Sequence, residues 1–310
     1  TRNTTGLYDY YGKYTGGYNN VWGNGTDYSR TSAAETDISS DPQYVDAYAG
    51  DHHLLDSSPS KTASSSGGEI GAYGNGGAPP DSDEELSTTP TLTGALTQSE
   101  RWTGEVTLTG SVEVNWPYKL IIDAGTVIHM PSSATLTVNN FVRILGTESS
   151  PVVFEAAEGA TNWSGIYLNS SGAGSTIRYA HISDATYCIR SQGAPDEINN
   201  NRLSNCQYGV YVNSGSPDIS NNLIIENAYA GIHVNNGNPQ ITYNTLDQNG
   251  NYGVYFSTSV VPTITNNIIT RNTTGLYDYY GKYTGGYNNV WGNGTDYSRT
   301  SAAETDISSD

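Results

Sequence analysis

Short apolar runs recur about every 22 residues between residues 163 and 298. Within each run apolar and polar side chains alternate, and turn-forming residues separate the runs, so the pattern predicts β-strands and no helices. One strand of this kind cannot bury its apolar face alone, so the repeat predicts coils stacked on their neighbours. The aligned runs are SGIYL from Ser164, YCIRS from Tyr187, YGVYV from Tyr208, AGIHV from Ala230, YGVYF from Tyr252 and TGLYD from Thr274.

Stacked coils would bring like residues together in two interior columns. The first column is predicted to contain Ile166, Ile189, Val210, Ile232, Val254 and Leu276. A second β-like run in each repeat supplies the other column, predicted to contain Ile182, Leu203, Ile224, Leu246, Ile269 and Trp291. Two such columns define the core of an all-β solenoid.

Asparagine recurs with the same period at the turns between runs. One predicted ladder contains Asn201, Asn222, Asn244, Asn267 and Asn289. A second series contains Asn205, Asn227, Asn249, Asn272 and Asn293. Asparagine tolerates left-handed turn conformations, and stacked side-chain amides can hydrogen-bond from coil to coil. We therefore interpret these residues as structural.

The chain also repeats itself on a longer scale. Residues Thr1–Asp41 recur without a change as Thr270–Asp310, which defines a period of 269 residues. Packing tolerates too many substitutions to keep two copies identical. The duplication predicts a longer polypeptide built from near-identical tandem units, and an artefactual duplication is the alternative.

The coil pattern resembles the right-handed parallel β-helix family with the pectate-lyase-like fold, above all its secreted parallel-β-helix-repeat proteins of the NosD type. The likeness covers about residues 101–298, where GEVTLTGSVEV, KLIIDAGTVIHM and FVRILGTESSPVVFEA look like opening coils. The segments DPQYVDAYAGDHHLLDSSPS, from Asp41, and GEIGAYG, from Gly68, are similar to the C-terminal part of such proteins. The resemblance implies an all-β, right-handed parallel β-helix solenoid with coils of about 22 residues and an irregular C-terminal tail. It does not imply one function.

The domain organisation follows from the repeat and from composition. Residues 1–29 are predicted to be the last coil of a preceding unit, and 30–76 its tail. Residues 77–100 are predicted to be a linker because this stretch combines Gly, Pro, acidic and hydroxyl residues. The β-helix is expected over 101–298, and the next tail over 299–310.

Charge limits the partners. The chain has 13 Lys plus Arg against 31 Asp plus Glu, a formal net charge of -18. A surface of this sign repels phosphate, so we expect no nucleic-acid partner, and anionic membranes are disfavoured equally. No apolar run approaches the roughly 20 residues of a membrane-spanning helix, so no membrane insertion is expected in this segment. Residue 1 is Thr and no signal peptide is visible, so we expect a processed or excised piece of a longer protein.

Two cysteines and an acidic segment are the candidates for covalent and metal chemistry. Cys188 and Cys206 lie 18 residues apart, slightly less than one coil, which predicts a disulfide between adjacent turns and fits an extracellular setting. Asp41, Asp46 and Asp51 could supply oxygen ligands to calcium, and a solvated acidic face is the alternative. No cofactor other than calcium is suggested.

The residue two positions after the glycine of each run points away from the core column. This stripe contains Tyr167, Tyr211, His233, Tyr255 and Tyr277, with Arg190 in one coil. Exposed aromatic rings could stack on sugars or on a neighbouring solenoid, and an ordinary outward stack of β-favouring residues is the alternative. Candidate N-glycan sites are Asn169, Asn24 and Asn293, which require a secreted protein in a glycosylating host.

No acid and base residues converge in the coil pattern, and no Lys occurs between Lys119 and Lys282, so no catalytic residue is predicted. The first functional hypothesis is therefore a structural extracellular protein: a tandem β-helix unit of a surface filament, sheath or giant adhesin that self-associates into a fibre or sheath. The alternative is a carbohydrate-binding or polysaccharide-degrading β-helix, for which glycans are the partners.

Overall fold

The computed structural model describes residues 4–11, 13–46, 51–54, 57–63, 86–169, 174–193, 196–257 and 261–308. The chain divides into two units, Thr1–Glu85 and Leu86–Asp310. Apart from one short 3-10 helix, Pro59–Thr62, the regular structure of the described residues is entirely β. None of the described residues forms a helix with the length and hydropathy that a membrane span requires.

The second unit is a solenoid in which each complete coil adds one strand to each of three parallel sheets, here named A, B and C. The strands of sheet A are Gly94–Ala95, Val112–Val114, Thr135–Val138, Trp163–Leu168, Ala185–Gln192, Tyr208–Ser214, Ala230–Val234, Tyr252–Phe256, Thr274–Asp278 and Thr295–Ser298. The strands of sheet B are Glu100–Trp102, Lys119–Asp123, Phe141–Leu145, Thr176–Arg178, Glu197–Asn199, Asp218–Ser220, Gln240–Thr242, Thr263–Thr265 and Thr284–Gly286. The strands of sheet C are Glu105–Thr107, Val127–Met130, Val152–Ala156, Ala180–Ser183, Arg202–Ser204, Leu223–Ile225, Thr245–Asp247, Ile268–Thr270 and Asn289–Trp291.

This architecture is a right-handed parallel β-helix with coils of about 22 residues, which confirms the predicted fold class. The first interior column forms in sheet A, where Ile166 pairs with Ile189 and the series continues in register to Leu276. Every member of this column is fully buried. Burial of aliphatic side chains at about 25 cal/mol per Å² is the main favourable term in folding such a column.

The second column lies in sheet C, and its last member differs from the prediction. Ile269 pairs with Val290, and Thr270 pairs with Trp291. Val290 is fully buried, whereas Trp291 is 38% exposed, so the assignment of Trp291 to the core was wrong. The cause is a coil of 21 residues between Ile269 and Val290, which is shorter than the two coils before it.

The solenoid begins before residue 101. Sheet A already contains Gly94–Ala95, and Ser87 forms a bridge with Glu100. Glu100 is buried, and its carboxylate accepts hydrogen bonds from the Trp102 indole at 2.7 Å and from the backbone N–H of Thr91 at 2.9 Å. Residues 86–100, which the composition assigned to a linker, therefore contribute strands and hydrogen bonds to the second unit.

In the first unit, strand Thr5–Tyr8 pairs in parallel with Thr26–Ser29, and Tyr44–Asp46 pairs antiparallel with Asp51–Leu54. The first of these pairings repeats one in the second unit. Leu7 lies opposite Tyr28, just as Leu276 lies opposite Tyr297 269 residues later. Both copies of the duplicated segment therefore adopt the same local pairing.

Candidate functional site

The outer surface of sheet A carries a continuous group of aromatic side chains, here called the tyrosine face. It includes all of the predicted stripe and four further tyrosines, each within about one ring diameter of another member. Its members are Tyr167, Tyr187, Tyr208, Tyr211, Tyr229, His233, Tyr252, Tyr255 and Tyr277.

A phase shift inside the strands places two aromatic residues of one coil on the same side. In Tyr208–Ser214 the consecutive residues Gly209 and Val210 are both buried. Strict alternation would point Tyr208 and Tyr211 to opposite sides of the sheet, but the two consecutive buried residues bring both rings outward. The four added tyrosines were missed because the stripe was predicted by alternation alone; three of them immediately precede a Gly or Cys (Tyr187, Tyr208 and Tyr252), a pattern visible in the sequence.

The rings of the tyrosine face lie close enough to contact along the stack. The centroids of Tyr187 and Tyr208 are 5.1 Å apart with an interplanar angle of 14°, a stacked arrangement. Tyr252 and Tyr255 also stack, at 4.6 Å and 17°. Separations of this size are typical of favourable aromatic pairs and follow from the roughly 4.8 Å spacing of the strands.

The tyrosine face is uncharged over most of its length. Burial raises the pKa of Tyr167, Tyr208, Tyr211, Tyr252 and Tyr255, so their hydroxyls stay protonated well above neutral pH. A cation borders one end, where the guanidinium of Arg190 lies 5.1 Å from the centroid of the Tyr167 ring. The face thus offers half-buried aromatic rings with hydroxyl groups, which can stack on a flat apolar surface and donate hydrogen bonds at its edges.

His233 lies in the middle of this face and is only 9% exposed. Its ring lies 4.8 Å from Tyr211 and 4.5 Å from Tyr255, centroid to centroid. Its Nε2 is 3.1 Å from Oγ of Ser257, whereas its Nδ1 is buried without a hydrogen-bond partner. Burial lowers the pKa of His233 to about 4, so the imidazole is neutral at physiological pH.

The first asparagine ladder runs through the turns between sheets B and C. The Oδ1 of Asn222 accepts from both the backbone N–H and the side-chain amide of Asn201, each at 3.0 Å. The same pattern continues through Asn244 and Asn267 and ends on Asn288, which is fully buried. Asn289, predicted as the last member, is therefore not in the ladder; it occupies the next position, in a strand of sheet C.

The second ladder contains Asn227, Asn249, Asn272 and Asn293. Asn205 is not its first member, because the backbone N–H of Cys206 makes the hydrogen bond to Asn227. Asn205 is exposed and has a φ of 54°, so it serves as the left-handed turn residue beside the ladder.

A disulfide joins two coils at this point. Cys188 and Cys206 are bonded at an Sγ–Sγ distance of 2.05 Å, and both residues are buried. The bond links sheet A to the turn after sheet C, so it crosses from one coil to the next inside the core.

The candidate glycan sites differ in how their amides are used. The Nδ2 of Asn293 donates to the carbonyl of Ile269 at 2.9 Å, and the Nδ2 of Asn24 donates to Asp27 at 3.1 Å. Asn169 is half-buried and donates to Asn139 at 3.3 Å. Asn162, which begins another Asn-X-Ser sequence, is exposed. An attached sugar at Asn293 would break a ladder bond, whereas one at Asn162 would not.

The calcium candidates are placed as follows. The carboxylate of Asp41 accepts from the backbone N–H of Gln43 at 2.9 Å. Asp46 and Asp51 lie opposite each other in the hairpin of the first unit, and their side chains lie outside the described set. Among the residues that the structure describes, no group of three or more His, Cys, Asp or Glu side chains is arranged to hold a metal ion.

A shallow cleft of about 530 Å³ lies beside sheet C, with Glu148, Tyr179, His181 and Arg202 among its lining residues. Burial and the nearby charge of Arg202 lower the pKa of His181, so this histidine is neutral at pH 7. The cleft could bind a small polar or anionic group.

The comparison with known families agrees with this geometry. Residues 164–308 match the family model described as the right handed beta helix region. No curated protein and no solved structure matches the chain. The matched residues contain the last coils of the second unit, including the tyrosine face from Tyr167 onward and both asparagine ladders, so residues 164–308 of this chain are a right-handed β-helix region.

Proposed function

We propose that this chain is a structural extracellular protein: a tandem β-helix unit of a surface filament, sheath or giant adhesin that associates with further copies. The observation that carries the proposal is the identical pairing of the two duplicated segments. In the second unit, Thr274–Asp278 and Thr295–Ser298 form the last two strands of sheet A, and the first unit contains the same parallel pair.

Three properties support this role. A parallel β-helix ends in strands whose backbone groups can pair with another chain, which provides a route to end-to-end association. The Cys188–Cys206 disulfide fits an oxidising compartment. The net charge of -18 favours solubility at high surface density, and it makes association depend on specific contacts.

Imaging of the protein from its native cells tests the proposal. We expect negative-stain electron microscopy to show extended filaments or sheaths on the cell surface, and the intact mass of the polypeptide to exceed that of one 269-residue period. Isolated short particles together with a mass near one period would contradict the proposal.

Glycan binding at the tyrosine face is the second candidate function. The supporting observation is a continuous series of partly exposed aromatic rings that spans several coils and matches the apolar faces of sugar rings. Binding to pectate, alginate and neutral oligosaccharides should be measured by calorimetry with and without calcium, and cleavage should be followed by product analysis.

A matched pair of variants makes this test specific. Tyr211→Ala and Tyr255→Ala remove rings from the tyrosine face, whereas Tyr243→Ala removes a ring that is 61% exposed at a turn outside it. We expect affinity to fall by at least tenfold only in the first two variants. Equal affinity in all three variants, or no binding by the wild type, would remove this candidate.

A further inference from the structure

The two copies of the duplicated segment have the same sequence and pairing but different burial. Leu276 and Val290 are fully buried, whereas their counterparts Leu7 and Val21 are only partly buried. Because the pairing within each copy is the same, the difference comes from the coil that precedes the second copy.

That preceding coil is here called the acceptor coil; its strands are Tyr252–Phe256, Thr263–Thr265 and Ile268–Thr270. The second copy pairs with all three. Leu276 lies opposite Val254 in sheet A, and Val290 lies opposite Ile269 in sheet C.

Side-chain ladders strengthen the same contact. The Nδ2 of Asn288 donates to the carbonyl of Ile264 at 3.1 Å, and the Nδ2 of Asn293 donates to that of Ile269 at 2.9 Å. The counterparts in the first copy are Asn19 and Asn24, whose side chains donate to Asp37 and Asp27 within that copy. The second copy makes the equivalent bonds to Asp306 and Asp296 in addition to those it makes to the acceptor coil.

Strand assignment shows the same contrast. Residues 284–286 and 289–291 of the second copy are strands because they pair with the acceptor coil. Their counterparts, residues 15–17 and 20–22, are described by the structure but form no strand, although Asn20 bridges Ile38 as Asn289 bridges Ile307. The first copy therefore has the local fold of a docked coil without the pairing that docking adds.

Resting on the structural role proposed above, we propose that residues 4–39 of one molecule dock on the acceptor coil of a second copy of this chain, in the register that residues 273–308 occupy here. Leu7 would then lie opposite Val254, and Val21 opposite Ile269. The contact joins two different surfaces, so it is head-to-tail and can repeat without closing. The occupant is specified because the identical residues already fill the site.

Docking competes with the molecule's own second copy, which is tethered to the acceptor coil and holds it at a high effective concentration. Weakening only the second copy should therefore expose the acceptor coil to the first copy of another molecule. Leu276→Asp does this, because it buries a carboxylate in the core column while Leu7 remains intact.

The experiment compares the full chain with Leu276→Asp, Leu7→Asp and the double variant Leu7→Asp/Leu276→Asp by sedimentation velocity over a range of concentrations. We expect Leu276→Asp to form dimers and longer head-to-tail species at concentrations at least tenfold below any association of the wild type. Leu7→Asp and the double variant should remain monomeric. Equal association of Leu276→Asp and the double variant would mean non-specific aggregation and would overturn the proposal, as would a monomeric Leu276→Asp.

A second pair, Val290→Asp with and without Val21→Asp, repeats the test in sheet C, so that misfolding of one variant does not decide the outcome. Register is tested by mixing two Leu276→Asp chains, one carrying Thr5→Cys and the other Tyr252→Cys. The counterparts Thr274 and Tyr252 lie opposite each other, so an oxidised covalent dimer is expected. Ser257→Cys in place of Tyr252→Cys lies beyond the end of the strand and should not cross-link; equal cross-linking at both positions would rule out this register.

This outcome is separable from that of the proposed function. A filament held together by lateral contacts or by a continuous polypeptide would satisfy the imaging test and fail the exchange test. A chain that exchanges in solution but forms no surface structure would do the reverse.

Discussion

The backbone N–H of Cys206 donates to Oδ1 of Asn227 at 3.0 Å. Asn227 makes the same bond to Asn249 in the next coil, and Asn249 makes it to Asn272. Cys206 therefore occupies the ladder position of its coil, and its bond to Cys188 stands where an asparagine amide would otherwise connect two coils.

This substitution of a disulfide for a ladder residue predicts how its loss can be repaired. Cys188→Ala/Cys206→Ser should lower the free energy of unfolding by about 3 kcal/mol, the value typical for a loop of this length. Cys188→Ala/Cys206→Asn should recover part of it, because an asparagine there can donate to Asn227 and to the carbonyl of Ile182. Urea unfolding of both variants measures the difference, and identical stability would contradict the ladder interpretation.

Asn244→Leu should be among the most destabilising single changes in the ladder. The Nδ2 of Asn244 donates to the carbonyl of Ile219 at 2.8 Å, and its Oδ1 accepts two hydrogen bonds from Asn222. Leucine leaves these buried groups without partners, at a cost of about 3 kcal/mol or more. Thermal unfolding should show the loss, with Asn251→Ala, at an exposed asparagine, as the control that stays within about 0.5 kcal/mol of the wild type.

Acid should weaken the second unit through His233. Its pKa is about 4 in the folded chain, below the ordinary value near 6.5, so the unfolded chain binds the extra proton between these two pH values. Stability from this residue is complete above pH 6.5 and falls by roughly 3 kcal/mol as the pH drops to 4.

The matched variant for this pH effect is His233→Tyr, which continues the stack of Tyr211 and Tyr255 and removes the titrating group. Melting temperatures measured from pH 7 to pH 4 should fall less steeply in His233→Tyr than in the wild type. Parallel curves would show that other groups cause the acid sensitivity.

The glycine column of sheet A predicts a steric effect. A Cβ at Gly253 would lie 2.7 Å from the carbonyl oxygen of Gly275 and 2.5 Å from Cγ2 of Ile269. The first of these atoms belongs to the backbone of the next coil and can yield only if the coils separate. Gly253→Ala should therefore lower the free energy of unfolding by about 2 kcal/mol or more, measured by urea denaturation against the exposed-site control Asn251→Ala. A neutral Gly253→Ala would show that the coils can move apart at little cost.

Some assignments made from the sequence were wrong by one residue, and the reason is local. Periodicity places Asn289 and Trp291 in the ladder and the core, whereas hydrogen bonding and burial place Asn288 and Val290 there. Two asparagines stand side by side at 288 and 289, and a mean coil length of 22 selects the second. A coil that is one residue shorter selects the first, and only pairing with the preceding coil reveals its length.

The tyrosine face shows a similar limit. Alternation identified Tyr211 and Tyr255 as outward residues, but not Tyr208 and Tyr252, whose direction depends on the two consecutive buried residues that follow each of them. Backbone geometry at the glycine, not residue type, decides on which side these rings lie.

By itself, the sequence determined the all-β solenoid, the coil length, the first interior column and the duplication, because each is a repeating pattern to which many residues contribute. Tertiary structure alone decided which of two adjacent residues enters the core, which rings share a face and how deeply each copy of the duplicated segment is buried. These properties depend on the neighbouring coil, since a strand's register and burial are set by the strand against which it packs.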